Sequence, residues 1–385
     1  MNSLNCRSQV SLTLASLATL GLLASQPATA ASLYSITDLG LGIAQDINDS
    51  GQVVGGLGTF QQEPLVPFLW DKNEGFTELG TFGGNYGIAQ GINNLGQVVG
   101  AAINPSGDYL AFLWNSSTGL IDLGTLTSPE VPFREDFATA INDSGQVVGS
   151  SFIYTGFLWT QSTGITEIPI YFPGDINNLG QVVGSSGTPG SGTDAELWSE
   201  STGTTIIPSF GGYYSDASGI NDLGQVVGAS RAYVENSWEV ARAFLWSENT
   251  GLTNLGILSD DPGSESFAND INNLGQVVGT SQIASGDFSP YHAFLWENDE
   301  LMDLNDLVVD GAGWVLTEAT AINENGQIVG KGLLNGETHA FVLNPISSEP
   351  EPIPEPSSAL GVLAFGLFGA KFLFKRLKTT TRSKL

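Results

Sequence analysis

Apolar residues in this chain come in short runs, and between residues 31 and 346 none sustains a 3.6-residue period. The runs are rich in Val, Ile, Phe and Trp and are bounded by Gly, Asn, Asp, Ser or Pro, which predicts strands. One nine-residue phrase organises them: Ile-Asn-x-x-Gly-Gln-Val-Val-Gly. It starts at Ile47, Ile92, Ile141, Ile176, Ile220, Ile271 and Ile322, with Ile328 for the first Val in the last copy. The starts lie 45, 49, 35, 44, 51 and 51 residues apart, the spacing of a repeat architecture. Asn and Gly inside the phrase predict a tight reversal, so each copy reads as two antiparallel strands.

Two more pieces recur between copies. One is Ala-Phe-Leu-Trp or a variant, as in Ala111 to Trp114 and Ala243 to Trp246. The other is an alternating run ending in Leu-Gly, as in Asp122-Leu123-Gly124. Four strands per unit of roughly 45 residues is the pattern of a β-propeller blade. Asn335-Gly336 predicts one further hairpin in the last unit. Ala stands three positions before the phrase in six units, with Pro173 in the other, which suits a strand near a crowded axis.

The last unit ends at Leu343 without its Asp-Leu-Gly strand. A stray copy, Asp38-Leu39-Gly40, precedes the first phrase. A chain that opens with one strand of its last blade can close a ring and remove its free edges. The expected fold is therefore all-β: a seven-bladed β-propeller closed by an N-terminal strand, with an N-terminal signal peptide and a C-terminal hydrophobic helix. The expected segments are 1–30 signal peptide, 31–346 repeats, 347–358 Pro/Glu linker, and 359–385 hydrophobic segment with basic tail.

The ends give an address. Arg7, an apolar stretch to Ala24, and Ala28-Thr29-Ala30 form a secretory signal, with Ala28 and Ala30 as the cleavage residues. Cys6 is the sole cysteine and would leave with it, so neither a disulfide nor a thiolate chemistry is available to the mature body. Residues 359–370 are apolar or Gly, and six Lys/Arg follow. That tail would stay cytoplasmic, and the short span suits transient membrane insertion. Between residues 31 and 354 stand five Lys/Arg and 39 Asp/Glu, a net charge near −34. Such a surface repels nucleic acid and anionic lipid.

Two resemblances follow from these residues. Ile353-Pro354-Glu355-Pro356-Ser357, then the apolar span and basic tail, resembles the PEP-CTERM sorting signal of bacteria. It implies an exosortase-type processing enzyme as partner, with Pro354, Glu355 and Pro356 as the sorting motif and the cell surface or extracellular matrix as destination. The body resembles the HAF-repeat family of extracellular proteins, whose triplet is complete at His292-Ala293-Phe294 and His339-Ala340-Phe341. That resemblance implies location and repeat structure, and no activity.

Candidate chemistry is sparse. Asp46-Ile47-Asn48-Asp49-Ser50-Gly51 matches the start of a calcium loop, with Asp46, Asn48 and Ser50 as candidate ligands. No acidic residue closes it at the twelfth position, and hairpin chemistry explains the same residues. Trp70, Trp114, Trp159, Trp198, Trp246 and Trp296 recur in apolar strands and read as core; Trp238 and Trp314 lie off that register and are better candidates for an exposed surface. His292 and His339, the only histidines, share one repeat position and read as structural. No catalytic residue, cofactor or metal is assigned. The expected function is a secreted or surface-associated, non-catalytic binding or structural module. Its partner would be exopolysaccharide or a surface protein, met through variable loops at 57–64, 127–136, 230–240 and 259–267. The alternatives are a polysaccharide-acting hydrolase or lyase, requiring inward carboxylates and a cleft, and a calcium-dependent adhesin.

Overall fold

The computed structural model describes residues 33–346 except 60–61, 129–130, 132, 153–154, 188–191, 235–238 and 287–288. The described residues are β-structure with a single four-residue helix, Leu304–Leu307, capped by Asp303. The sequence pattern did not predict this helix. The architecture is a β-propeller built from four-stranded antiparallel meanders.

The first meander is β1 (Tyr34–Ile47), β2 (Val53–Thr59), β3 (Gln62–Asp71) and β4 (Gly75–Glu78), paired in chain order. Five further four-stranded sheets repeat that order among the described residues. The last three strands, Trp314–Ile322, Ile328–Leu334 and Glu337–Pro345, take their fourth strand from the start of β1. Tyr34 to Asp38 pair with Pro345 to Phe341, while Gly42 to Ile47 pair with β2. The predicted N-terminal strand thus completes the last sheet. A register shift between Asp38 and Leu41 separates the two roles, with Gly40 at φ +85° taking the bend.

The Val-Val pair of the phrase links neighbouring sheets. Successive strand residues face opposite sides. Val98 therefore packs with Val54 of the preceding sheet, and Val99 packs with Val147 of the following one. Every such pair is fully buried, including Ile328-Val329. At roughly 1.5–3 kcal/mol per buried side chain, these pairs are the main sheet-to-sheet adhesive. The same logic joins the ends of the chain. Ala321, Val329 and Val342 share one core with Ala44, Val53 and Phe68.

The small residue before the phrase also faces this inter-sheet core rather than the axis. Ala44, Ala89, Ala138, Ala217, Ala268 and Ala319 are at most 1 % exposed. The Gly that ends the phrase answers a close approach. At Gly149, a Cβ would lie 2.0 Å from the Phe137 carbonyl oxygen and 2.6 Å from Cζ of Phe157. In the unit where Glu196 replaces the buried Phe, Ile170 is fully buried and stands against Gly184. Asn335-Gly336 makes the predicted two-residue turn, both at positive φ.

Gly149→Ala should therefore destabilise by about 3 kcal/mol or more, because both colliding groups are fixed. Gly119→Ala meets no atom within 4 Å and carries only left-handed strain at φ +69°, so it should cost about 1–2 kcal/mol. Urea unfolding of the two variants measures the difference.

Candidate functional site

The inner strands have two ends, and each opens on a cavity. At the phrase end the cavity holds about 400 Å³. Asn48 shows how its wall is made. Its Oδ1 accepts from the Ser50 and Gln52 amides, fixing the turn, and its Nδ2 donates to Gln52 Oε1 at 2.9 Å and to the Asn93 carbonyl at 3.1 Å. Asn93 donates likewise to the Asn142 carbonyl, Asn142 to Asn177, Asn177 to Asn221, Asn221 to Asn272, and Asn272 to Asn323. Asn323 returns to the Asn48 carbonyl at 2.9 Å. The circle is closed. The Asn was predicted as a turn former; its partnership with Gln, and its bond to the next unit, were not.

A second circle lies beside it. The Asp49 amide donates to Asn94, Asn94 to Asp143, Asp143 to Asn178, Asn178 to Asp222, Asp222 to Asn273, Asn273 to Glu324, and Glu324 to Asp49, each to the side-chain oxygen. Asp46 and Asp175 also line this cavity, and Asp270 holds the equivalent position, one residue before the phrase, in the sixth unit. Each accepts its own following amide and that of the next unit, as Asp46 does from Ile47 and Ile92. Each residue is half-buried with its carboxyl walled largely by protein, so loss of hydration dominates its titration. Burial pushes Asp46 up to about 8, with Asp270 and Asp175 adding repulsion. Burial, then repulsion from Asp175, pushes Asp270 up to about 7. Burial also raises Asp175. The oxygens of Asp46 and Asn48 are engaged by backbone amides, which is turn and ring chemistry rather than a cation cage.

The cavity at the opposite end is larger, about 610 Å³. It lies where the repeat departs from its own pattern. Four residues before the phrase, five units carry Ile43, Ile88, Phe137, Phe172 and Phe267. The other two carry Asp216 and Glu318, and both line this cavity on either side of Phe267. Arg231 and Glu239 line it too. Glu318 is held by Lys331 at 2.6 Å and meets Asn269 Nδ2 at 3.5 Å. Arg231 donates to the Glu239 carbonyl at 3.0 Å and lies 3.5 Å from Glu265. Asp216 opens onto the cavity, yet protein around it raises its carboxyl above the usual range, opposed by Ser185 and the Ala217 amide. Tyr214 lines the wall, 47 % exposed, with Tyr213 exposed beside it and exposed Tyr233 hydrogen-bonded to Tyr213 and Glu239. No motif points to this place; the signal was the break in register at Asp216 and Glu318.

The other predicted residues sort clearly. Ala28, Ala30, Pro354, Glu355, Pro356 and Trp238 lie outside the described residues, as does the 359–385 segment. Among the described residues no helix is long and apolar enough to cross a membrane. The six repeating Trp residues pack on the inter-sheet cores. Trp314, predicted as an exposed candidate, is instead partly buried, edge-on to His339 and Phe341. His292 meets Asp303 at 2.6 Å and His339 meets Asp38 at 2.8 Å, equivalent pairs in the last two units. Two of the variable loops are pinned. Arg134 ties Asp122, Asp136 and the Gly124 carbonyl, and buried Arg242 ties the carbonyls of Pro262 and Ser264.

Residues 175–344 match the family described as "Protein of unknown function (DUF3466)". No curated protein matches the chain. Among solved structures, TolB from Acinetobacter baumannii is similar at 14 % identity and TM-score 0.40, over 56 % of this chain and 54 % of that one. The chain thus spans about half the length of TolB. The RRP9 WD40 repeats are similar at 12 % and 0.49, over 82 % and 99 %. The β-propeller domain of the Trilobed protease from Pyrococcus furiosus is similar at 11 % and 0.47, over 83 % and 100 %. None of these assigns an activity to this chain.

Two predictions test the phrase-end cavity. Asn177→Ala removes both bonds that Nδ2 makes and both that Oδ1 accepts. It should lower unfolding free energy by on the order of 3 kcal/mol by urea titration, since buried backbone groups lose their partners. The raised carboxyls give a pH dependence. A folded-state value above the unfolded one means that the folded chain holds more protons, so stability falls as pH rises through it. The melting temperature should therefore fall between pH 5 and pH 8. The triple variant Asp46→Ala, Asp175→Ala, Asp270→Ala should flatten that slope, whatever its absolute stability.

Proposed function

We propose that the repeats form a closed seven-bladed β-propeller that serves as an exported, non-catalytic binding module. The Asn-ring end is its structural clasp and the opposite cavity is its ligand site. The observation that carries this reading is the double departure of Asp216 and Glu318 from an otherwise apolar register position, both at one cavity. A repeat that needs only to pack has no reason to place two acids there. Closure is supported by the bond from Asn323 to Asn48 and by β1 shared between the first and last sheets.

Export rests on the signal-like residues 1–30 and the Pro354-Glu355-Pro356 segment with its apolar span and basic tail. The resulting address is the cell surface or extracellular matrix, after processing by an exosortase-type enzyme and transient insertion of the C-terminal segment. The strongly acidic body suits such a setting and disfavours nucleic acid.

A hydrolase reading has one observation in its favour, the three carboxylates Asp216, Glu239 and Glu318 in one cavity. Glycoside cleavage needs one carboxyl to give a proton and the other to act as base or nucleophile. Glu318 is engaged by Lys331 and Asn269, and Glu239 accepts from the Tyr213 amide, which leaves Asp216 with a raised, accessible carboxyl. Binding is the better use of these carboxylates.

The double variant Asp216→Ile, Glu318→Ile restores the residue type found at this position in the first two units. It should fold, with a melting temperature equal to or above that of the parent, and lose association with the surface or matrix fraction of the producing cell. Retained association would remove the cavity as the functional site. Release of reducing ends from polysaccharide by the parent, abolished in the double variant, would favour the hydrolase.

A further inference from the structure

The chemistry of the second cavity narrows its ligand, and the inference rests on the binding-module reading above. We infer that this cavity takes a neutral saccharide chain, laid against Tyr214 and gripped by Asp216 and Arg231. Three features of the wall converge on this class.

The first is the mix of surfaces. A sugar ring has apolar C–H faces and a rim of hydroxyls that both donate and accept. Sites for such ligands combine an aromatic plane with a few convergent polar groups. Here Tyr214 and Phe267 supply aromatic surface, Asp216 accepts, and Arg231 presents donors from the same wall, while Nδ2 of Asn269 is given to the Ala319 carbonyl and Glu318. The volume of about 610 Å³ falls within the range of small-molecule sites. Tyr213 and Tyr233, 69 % and 62 % exposed, extend the aromatic surface beyond the mouth. A chain longer than the cavity would therefore continue onto them.

The second is charge. Among the described residues, Asp216, Glu239 and Glu318 line the cavity against Arg231 alone. Among the described residues, Lys331 and Arg231 oppose acids here, and both are already paired. In a body of net charge near −34, a uronic-acid polymer or a phosphorylated ligand would meet repulsion throughout. A neutral chain would not.

The third is construction. Asp216 and Glu318 sit on inner strands whose other ends are held in the Asn circle, and Phe267 stands on the strand between them. Side chains on such strands need little ordering when a ligand arrives, which favours affinity. The polar groups come from unlike units, so the site is single and off-centre in a molecule of repeated parts.

The test uses the purified full chain and isothermal titration against neutral gluco-, manno- and galacto-oligosaccharides of two to six residues. Polygalacturonate and spermidine serve as anionic and cationic probes. The expected result is saturable binding of at least one neutral series. Tyr214→Ala should weaken it tenfold or more, and Asp216→Ile, Glu318→Ile should abolish it with the melting temperature preserved. Binding confined to polygalacturonate or to spermidine overturns the inference, as does saccharide binding that both variants retain. No binding to any neutral series overturns it as well. If surface association of the parent still depends on Asp216 and Glu318 in that event, the ligand class falls and the binding-module reading stands.

Discussion

The structure depends on one hydrogen bond made seven times: an Asn amide in one unit to the Asn carbonyl of the next. Each inner strand ends in a turn whose opening Asn is buried, where an unpaired polar group is costly. Asn answers this locally through Oδ1 and laterally through Nδ2, while Gln holds its amide in position. The same side chain therefore makes the turn and joins the units. Val-Val supplies the adhesive between sheets, but apolar packing is tolerant of sliding. The amide-to-carbonyl bond is directional and sets the spacing of the inner strands.

That constraint divides the molecule by task. The phrase end is occupied by ring bonds, by the carboxylates that accept from neighbouring turns, and by the three half-buried acids that bridge units. Its side-chain oxygens are largely committed to backbone amides. The opposite end carries no such phrase, so its residues are free to vary. There the repeat loses two apolar residues and gains Asp216 and Glu318, with Arg231 and Lys331 arranged around them. Two of the five basic residues of the body are committed to this one place.

The half-buried acids show a cost accepted within the ring. Asp46, Asp175 and Asp270 occupy positions that Ala or Gly fills in the other units, and burial disfavours their charge. Each in return holds two amides from adjacent units at 2.7–3.0 Å. The arrangement couples ring cohesion to pH without any histidine. The histidines do separate work, pairing with Asp38 and Asp303 at matching places, and Asp38 reaches His339 only because the N-terminal strand completes the last sheet.

Strand type, turn chemistry and the offset of the N-terminal strand were all legible in the chain, because each is a local pattern repeated often enough to be read. The Asn-Gly turn at Asn335-Gly336 and the core role of the six Trp residues follow from the same local rules. Three things were decided only by the tertiary structure. The partnership of Asn with the next unit joins residues 35 to 51 apart, and spans 275 residues at the closure. Trp314 looked available but is turned against His339 and Phe341. The cavity at Asp216 and Glu318 exists because folding brings units separated by about 100 residues to one end of the inner strands. A repeat announces its architecture through what its copies share. What it binds resides where the copies differ, and those differences acquire meaning only when the fold sets them side by side.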